Sequence, residues 1–218
     1  MAKTFLAFWG ELGGNEMEQS AVLRRTRGCG SMFMRFRAIS HLGLSLVLMA
    51  FLDNSGRAQQ TQPTEYQLKA AFLFNFAKFV EWPAAAFAGK DSPLLIGVLG
   101  ENPFRDDLAR MVQNKLIDDH PLKVVEFKDF HAADGMTNCH ILFICSSEKD
   151  RLPEIFESLR GSAALTIGES ANFAESGGMI QFFMEQTKIR FQINQDAATK
   201  SKLKISSKLM SLSTKPGG

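Results

Sequence analysis

The sequence predicts a single α/β domain: a mixed, mostly parallel sheet with helices on both faces and a C-terminal antiparallel hairpin. Apolar runs at residues 94–99, 140–145 and 165–167 alternate with helical patterns, which is typical of parallel strands buried on both faces. Residues 179–185 and 188–194 are separated by only two residues, and the second run alternates apolar with polar side chains. That spacing indicates a hairpin with one solvent-facing side. About 160 residues follow residue 58, enough for one domain with a substantial core.

The first element is a helix predicted over residues 66–82. A T-x-x-Q capping box begins at Thr64, and Pro83 ends the helix. Phe74 and Val80 lie off the main apolar stripe, so the helix is expected to pack on more than one surface. The stripe recurs at steps of three and four residues and consists of Leu68, Phe72, Asn75, Phe76, Phe79 and Trp82.

The elements that follow alternate between strands and helices. After the strand at 94–99, Asn102 and Pro103 supply an N-cap and a first-turn proline for a helix through about Gln113. Gly177 and Gly178 are expected to permit a turn with positive φ before the hairpin. The other predicted elements are strands at 123–127 and 140–145, a helix at 150–160, a strand from 165, the hairpin, and one or two helices from Asp196, anchored by Leu203, Leu209 and Leu212.

Residues 34–58 are predicted to be a signal peptide. Arg35 and Arg37 precede an apolar stretch at 38–52, and the small residues that follow fit a cleavage after Ala58. The apolar stretch is shorter than the roughly 20 residues that a membrane-spanning helix needs, although a retained N-terminal anchor is the alternative. Residues 1–33 are interpreted as an upstream extension outside the fold, and residues 59–218 as an exported, periplasmic domain.

The charge of the chain argues against a nucleic-acid ligand. Of the 25 basic and 23 acidic side chains, seven bases and four acids lie in the first 58 residues, leaving 18 and 19. A near-neutral domain without a basic stripe lacks the footprint of a protein that binds the phosphate backbone.

Cys139 and Cys145 are the cysteines of the predicted domain, too few for a disulfide scaffold or a zinc site. If residues 140–144 form one straight strand, the two Cα atoms lie roughly 20 Å apart, beyond the roughly 4.4–6.8 Å of a disulfide. Two buried thiols are therefore expected. A bend after Ile144 is the alternative, and an oxidising compartment would then favour the bond.

The loops at the carboxyl ends of the predicted parallel strands form the best candidate for a ligand crevice, because ligands of open α/β sheets bind at that edge. The alternative is that these polar residues only make the turns, which are rich in Gly and Ser in any case. The crevice residues are Gly100, Glu101, Asn102, Ser146, Ser147, Glu169 and Ser170.

The sequence carries no motif that indicates catalysis. Ser146 and Ser147 lack the G-x-S-x-G elbow, and no H-E-x-x-H spacing is present. His140 opens an apolar strand and is expected to be a packed, hydrogen-bonded histidine. We therefore expect neither an enzyme, a cofactor nor a metal site. Five other polar side chains are candidates for contact with a protein partner, with ordinary solvated faces as the alternative: Asn75, Lys78, Glu81, Lys188 and Arg190.

Four segments carry a resemblance to known proteins: YQLKAAFLFNFAKFVEWP at 66–83, GGMIQFF at 177–183, KIRFQIN at 188–194 and ISSKLMSL at 205–212. They resemble one bacterial family, the YfiR-like proteins, which are secreted regulators formerly classed as a domain of unknown function. The resemblance runs from about residue 64 to residue 212, with the elements in matching order.

The resemblance implies a periplasmic negative regulator, not an enzyme. Such a regulator binds the periplasmic sensor region of a membrane-bound diguanylate cyclase and holds it inactive, which lowers cyclic di-GMP and biofilm formation. A homodimer is a further possibility. The first alternative is a periplasmic small-molecule-binding domain without a cyclase partner, using the strand-end crevice, and the second is a hydrolase.

Overall fold

The computed structural model describes residues 63–214, and a seven-stranded sheet organises them. The predicted signal peptide and the extension before it lie outside the described residues. The helices are α1 Glu65–Phe79, α2 Asp107–Val112, α3 Leu152–Ser158, α4 Gln195–Lys200 and α5 Ser207–Met210. The strands are β1 Val80–Glu81, β2 Leu94–Leu99, β3 Leu116–Ile117, β4 His120–Phe127, β5 Ile141–Ile144, β6 Leu165–Gly168, β7 Ile180–Glu185, β8 Lys188–Ile193 and β9 Lys204–Ile205.

The strand order of the sheet is β3-β4-β2-β5-β6-β7-β8. The five strands from β4 to β7 pair in parallel, while β3 and β8 pair antiparallel at the two edges. β1 and β9 form a separate two-stranded ribbon. The predicted fold class is confirmed: a mostly parallel sheet that ends in an antiparallel hairpin, β7–β8.

Both faces of the sheet are covered, which explains why the central strands show no polar alternation. On β5, Ile141 and Phe143 belong to the larger core with α1 and α2, whereas Leu142 and Ile144 belong to a smaller core with α3. Successive strand residues face opposite sides, so a strand buried on both faces reads as a continuous apolar run.

The start of α1 is as predicted, but its end is not. The Thr64 hydroxyl accepts from the Gln67 N–H at 3.3 Å, and the Gln67 side chain accepts from the Thr64 N–H at 2.9 Å. The helix ends at Phe79 rather than Trp82, because Val80 and Glu81 are extended and pair with β9. The Ser206 N–H donates to the Phe79 carbonyl at 2.9 Å, satisfying one carbonyl that the helix leaves open.

The buried stripe of α1 differs from the predicted one. Leu68, Phe72, Phe79 and Trp82 are only half-buried. The side chains that the core encloses are Lys69, Ala70, Leu73, Phe76 and Ala77. Phe76 packs between Phe182 and Phe191, with ring centroids 5.8 and 5.1 Å away. Burial of each such large apolar side chain stabilises the fold by about 1.5–3 kcal/mol, so the β7–β8 hairpin and α1 hold each other in place.

The second helix starts later than predicted. The Asn102 side chain accepts from the Phe104 N–H at 2.9 Å, which closes a local turn instead of capping a helix. Arg105 then takes a φ of 51°, a left-handed conformation that an α-helix excludes. Hence α2 begins only at Asp107.

The third predicted helix is also shorter than expected. Residues 146–151 form a 3₁₀-helix, and α3 follows with Pro153 in its first turn, where a missing N–H costs nothing. Within residues 63–214, no helix is both long and apolar enough to cross a membrane.

The two glycines before the hairpin serve different purposes. Gly177 has the expected positive φ, 116°. Gly178 does not, and its role is close packing: a Cβ there would lie 2.1 Å from a ring carbon of Phe173 and 2.8 Å from the Phe173 carbonyl oxygen. Only a glycine lets this backbone lie against the ring.

Candidate functional site

Glu169 is the centre of a polar cluster at the carboxyl edge of the sheet. It directly follows β6, and its carboxylate accepts from Lys69 Nζ at 2.5 Å. The Tyr66 hydroxyl and the Ser146 hydroxyl each donate to Oε1 at 3.2 Å. The cluster therefore joins the first turns of α1 to the loops after β5 and β6.

Lys69 is buried, with 4% of its surface exposed, and its charge is balanced by two carboxylates. Besides Glu169, the side chain of Glu65 lies 2.5 Å from Nζ, one helical turn earlier. Burial alone lowers the pKa of a lysine, but hydrogen bonds and charges from Glu169 and Glu65 outweigh it, so the pKa of Lys69 is raised. The ammonium group is charged at any physiological pH.

Tyr66 is held as a neutral phenol that donates to Glu169. Burial first, and the Glu169 charge second, raise the pKa of Tyr66. The Lys69 ammonium lies 4.6 Å from the centroid of the Tyr66 ring, a cation–π contact. Tyr66 also packs edge-on against Phe104, with centroids 5.6 Å apart. The tyrosine therefore links the polar cluster to the core.

The remaining crevice residues have different hydrogen-bond partners. Ser147 Oγ accepts from the Glu101 N–H at 3.0 Å, and Gly100 makes this approach possible because a Cβ there would lie 2.3 Å from that oxygen. Asn102 donates to Glu126 at 2.7 Å. Ser170 Oγ is buried without a hydrogen-bond partner.

The structure thus brings the predicted crevice residues to one edge of the sheet, where Lys69 and Tyr66 contact Glu169. Ligand binding at this edge stays a prediction. Among the described residues, no three His, Cys, Asp or Glu side chains are placed to share a metal ion.

The two described cysteines are free and buried, as expected. Burial raises the pKa of Cys139 to about 11 and that of Cys145 to about 12. For Cys145, the charges of nearby glutamates, with Glu169 the strongest, act in the same direction. Both thiols are protonated at neutral pH and are poor nucleophiles.

Three of the predicted partner-binding residues lie along the C-terminal half of α1 and the ribbon that follows it. Asn75 is half-buried and donates to the Ala71 carbonyl at 2.8 Å. Lys78 is exposed, with its ammonium group 4.4 Å from the centroid of the Phe74 ring. Partial burial, and secondly the charge of Lys115, lower its pKa. Glu81 forms an exposed ion pair with Lys204 across the ribbon, at 3.8 Å.

The other two predicted partner-binding residues lie elsewhere. Phe191 on β8 packs against α1, so the alternating residues Lys188 and Arg190 face the opposite side of the sheet. Lys188 is exposed, and Arg190 lies 3.0 Å from Glu185 across the hairpin. The five candidates therefore occupy two separate surfaces.

The sequence reasoning missed Tyr66 and Lys69 as members of the crevice. One signal was present: Lys69 lies four and seven residues before Leu73 and Phe76, on the buried face of the helix. A lysine on that face requires a carboxylate partner. The partner itself, Glu169, lies 100 residues after Lys69, and no local pattern in the sequence points to it.

A family model described as YfiR/HmsC-like matches residues 66–214, more than two thirds of the 218-residue chain. A comparison with curated proteins finds no match. The matched range holds all the described strands and helices apart from the first residue of α1.

Proposed function

This chain belongs to the YfiR/HmsC-like family, and we propose that it binds and represses the periplasmic sensor region of an inner-membrane diguanylate cyclase. The family suggests a periplasmic regulator of diguanylate cyclase signalling. In this chain, repression would lower cyclic di-GMP and biofilm formation, and a signal peptide cleaved after Ala58 would export the domain.

The observation that carries the proposal is the extent of the family match. It covers the sheet, the hairpin and the C-terminal helices together, so the whole fold and not one motif supports it. By the same reasoning we infer a regulator rather than an enzyme. The polar groups at the sheet edge support that view, since the Ser146 and Ser147 hydroxyls hold Glu169 and the Glu101 backbone in place.

The surface that best suits the partner is the end of α1 with the β1–β9 ribbon. Lys78, Glu81 and Lys204 are exposed there and carry both signs of charge. The half-buried Phe74 ring beneath Lys78 adds an apolar element. A protein interface commonly combines such an aromatic contact with a charged rim. The ribbon fixes the position of these side chains, because β9 holds Val80 and Glu81 in register.

Repression needs only a modest difference in affinity. If the cyclase exchanges between an active and an inactive conformation of equal stability, a preference of about 2.7 kcal/mol for the inactive one shifts the population to roughly 99:1. A few well-placed contacts can supply that difference.

Crosslinking in the native cell tests the proposal. A tag after Gly218 allows the processed chain to be recovered with whatever it contacts, and mass spectrometry identifies the captured protein. We expect a membrane-bound diguanylate cyclase. If the chain is exported and intact but captures no membrane sensor protein, the proposal is wrong.

Two lysine variants then locate the contact. Lys78→Glu reverses a charge on the proposed surface and should reduce capture of the cyclase at least tenfold. Lys149→Glu makes the same change at an exposed position of the 3₁₀-helix at residues 146–151 and should leave capture unchanged. Equal capture of the cyclase by both variants would mean that the contact does not lie at the end of α1.

A further inference from the structure

The backbone of Leu95 is bonded to His140 twice, at the point where β2 and β5 begin to pair. The His140 N–H donates to the Leu95 carbonyl at 2.9 Å, and the Leu95 N–H donates to His140 Nδ1 at 3.1 Å. The first residues paired between the two strands are Ile96 and Ile141. The imidazole therefore serves as the acceptor that a backbone carbonyl would supply if the ladder continued.

The bond to Leu95 requires a neutral imidazole. A backbone N–H can only donate, so His140 Nδ1 must be the acceptor and carries no proton. The single proton of the neutral ring is then on Nε2. A second proton would have to bind Nδ1, where it would face the Leu95 N–H. Protonation of His140 and its hydrogen bond to Leu95 therefore exclude each other.

Residues 83–93, between β1 and β2, lie over the ring of His140. They contain the 3₁₀-helix Ala84–Ala86, and Phe87 follows it. The Phe87 ring contacts two imidazoles, with its centroid 4.4 Å from that of His140 and 3.9 Å from that of His120. His120 also donates from Nδ1 to the Ser92 carbonyl at 2.7 Å. Beneath these residues, His140 is only 4% exposed.

The same residues form one wall of a cavity of about 680 Å³. Pro83, Phe87 and Pro93 are among the residues that line it on this side, and residues 161–163 and Lys202 line it elsewhere. Movement of residues 83–93 would therefore open the cavity and expose the imidazole of His140 together.

The groups around His140 do not favour a positive charge on its ring. Neither ring nitrogen bonds to a carboxylate of the described residues. The preceding residue, Cys139, is a neutral thiol because burial raises its pKa to about 11. His120 contacts the same Phe87 ring, and Lys202 in the cavity wall is cationic and exposed. The charged residues within 83–93 are Lys90 and Asp91, both exposed.

Exposure of the ring favours its protonation. Burial, and secondly the charge of His120, lower the pKa of His140, and a contact with the Ala86 backbone opposes them without compensating. If residues 83–93 move away, the ring meets water and its pKa returns towards the ordinary value of about 6.5. The open form then binds a proton at a pH at which the closed form does not, so acid shifts the population towards the open form.

We propose that residues 83–93 form a lid that a proton on His140 releases. At neutral pH the imidazole holds the Leu95 N–H and packs against Phe87, so the lid is closed. As the pH falls below about 6.5, the protonated ring loses its bond to Leu95, the start of β2 loosens and the cavity opens. The proposal does not depend on the cyclase as partner and would stand if the regulatory function were wrong.

Hydrogen exchange at the Leu95 amide tests the lid. NMR measures it on the processed chain, purified after expression of all 218 residues. Between about pH 7.5 and about pH 5, on either side of the ordinary histidine pKa, the protection factor should fall roughly fivefold, as expected for loss of one net hydrogen bond. Amides of the β7–β8 hairpin should keep their protection.

Two results would overturn the proposal. An unchanged protection factor at Leu95 would mean that acid does not break its bond to His140. An equal loss of protection in the β7–β8 hairpin would mean that acid loosens the whole domain and not the lid.

His140→Asn separates the proton from the hydrogen bond. Its amide oxygen can replace Nδ1 as the acceptor for the Leu95 N–H but does not titrate, so Leu95 should be equally protected at both pH values. The matched control is His131→Asn, at an exposed histidine outside the lid and the cavity, which should respond to acid as the wild type does. A loss in His140→Asn as large as that in the wild type would contradict the role of His140.

Phe87→Ala keeps the test informative if His140→Asn does not fold. It removes the ring that packs on His140, so protection of Leu95 should be lower already at neutral pH. The imidazole of His140, followed by its NMR signal, should titrate closer to about pH 6.5 than in the wild type. Leu116→Ala, at an exposed apolar side chain outside the lid, should leave this titration unchanged. An imidazole that titrates alike in Phe87→Ala and the wild type would contradict a lid over His140.

Discussion

The buried ion pair between Lys69 and Glu169 predicts an asymmetric response to mutation. Lys69 is 4% exposed, and the Glu169 side chain is 15% exposed. Glu169→Gln leaves a buried ammonium with only Glu65, whose side chain is 45% exposed and so screened by water. Breaking a buried pair typically costs about 3–5 kcal/mol. Because Glu65 remains, we expect Glu169→Gln to destabilise the fold by about 2 kcal/mol.

Removing the charge of Lys69 should rescue that loss. Lys69→Met keeps a flexible apolar side chain in the buried position, and replacing both members of a buried pair is often close to neutral. The double variant Lys69→Met/Glu169→Gln should therefore lie within about 1 kcal/mol of the wild type. It should be more stable than Glu169→Gln alone, although it carries one more substitution.

Urea unfolding measures these differences. With a slope of about 2 kcal/mol/M, a loss of about 2 kcal/mol lowers the midpoint by about 1 M. Glu157→Gln is the matched control, since it breaks an exposed ion pair with Arg160, and it should change stability by less than about 0.5 kcal/mol. A loss of stability in Glu169→Gln no larger than in this control, or a double variant that is the least stable of the set, would contradict a buried ammonium that depends on Glu169.

Three further predictions concern packing, pH and thiol reactivity. Gly178→Ala should lower the stability by about 2 kcal/mol, because the new Cβ overlaps the Phe173 ring. Gly89→Ala, whose new Cβ has no atom within 4 Å, should have almost no effect in the same urea assay. Because the pKa of His140 is lowered in the folded chain, the unfolded chain binds more protons than the folded chain at acidic pH. The free energy of unfolding should therefore fall as the pH drops below about 6.5. It should fall less in His140→Asn. Cys139 and Cys145, with pKa values of about 11 and 12, should react with an aromatic disulfide reagent at pH 8 only after unfolding in urea.

Each of these predictions has a contradicting result. A stable Gly178→Ala variant would mean that the ring can move aside. If stability depends on pH in the same way in the wild type and in His140→Asn, the buried imidazole does not cause the loss of stability at low pH. Rapid modification of either thiol in the folded chain would show that it is accessible.

Local patterns in the sequence were sufficient for much of the fold. The capping box at Thr64, the strand at Leu94–Leu99 and the hairpin spacing around Gln186 all depend on neighbouring residues. Continuous apolar runs predicted strands buried on both faces, and the two cores confirm it. In each case the determining contacts are short-range or follow from strand periodicity.

The features that the sequence did not predict arise from long-range contacts. The end of α1 is set by pairing of Val80 and Glu81 with β9, more than 120 residues later. The partner of Lys69, Glu169, lies 100 residues later in the chain. A cavity beside His140 is lined by residues from the ranges 83–95, 137–140, 161–163 and 201–202, which share no local motif, so its position follows only from the complete fold.

Measurement of cyclic di-GMP in the native bacterium is a direct test of the proposed repression. Deletion of the reading frame should raise cyclic di-GMP, and the wild-type chain supplied in trans should restore the lower level. The Lys78→Glu variant should restore it less well. An unchanged or lower level after deletion, with the exported chain detected in the parent strain, would contradict the proposed repression.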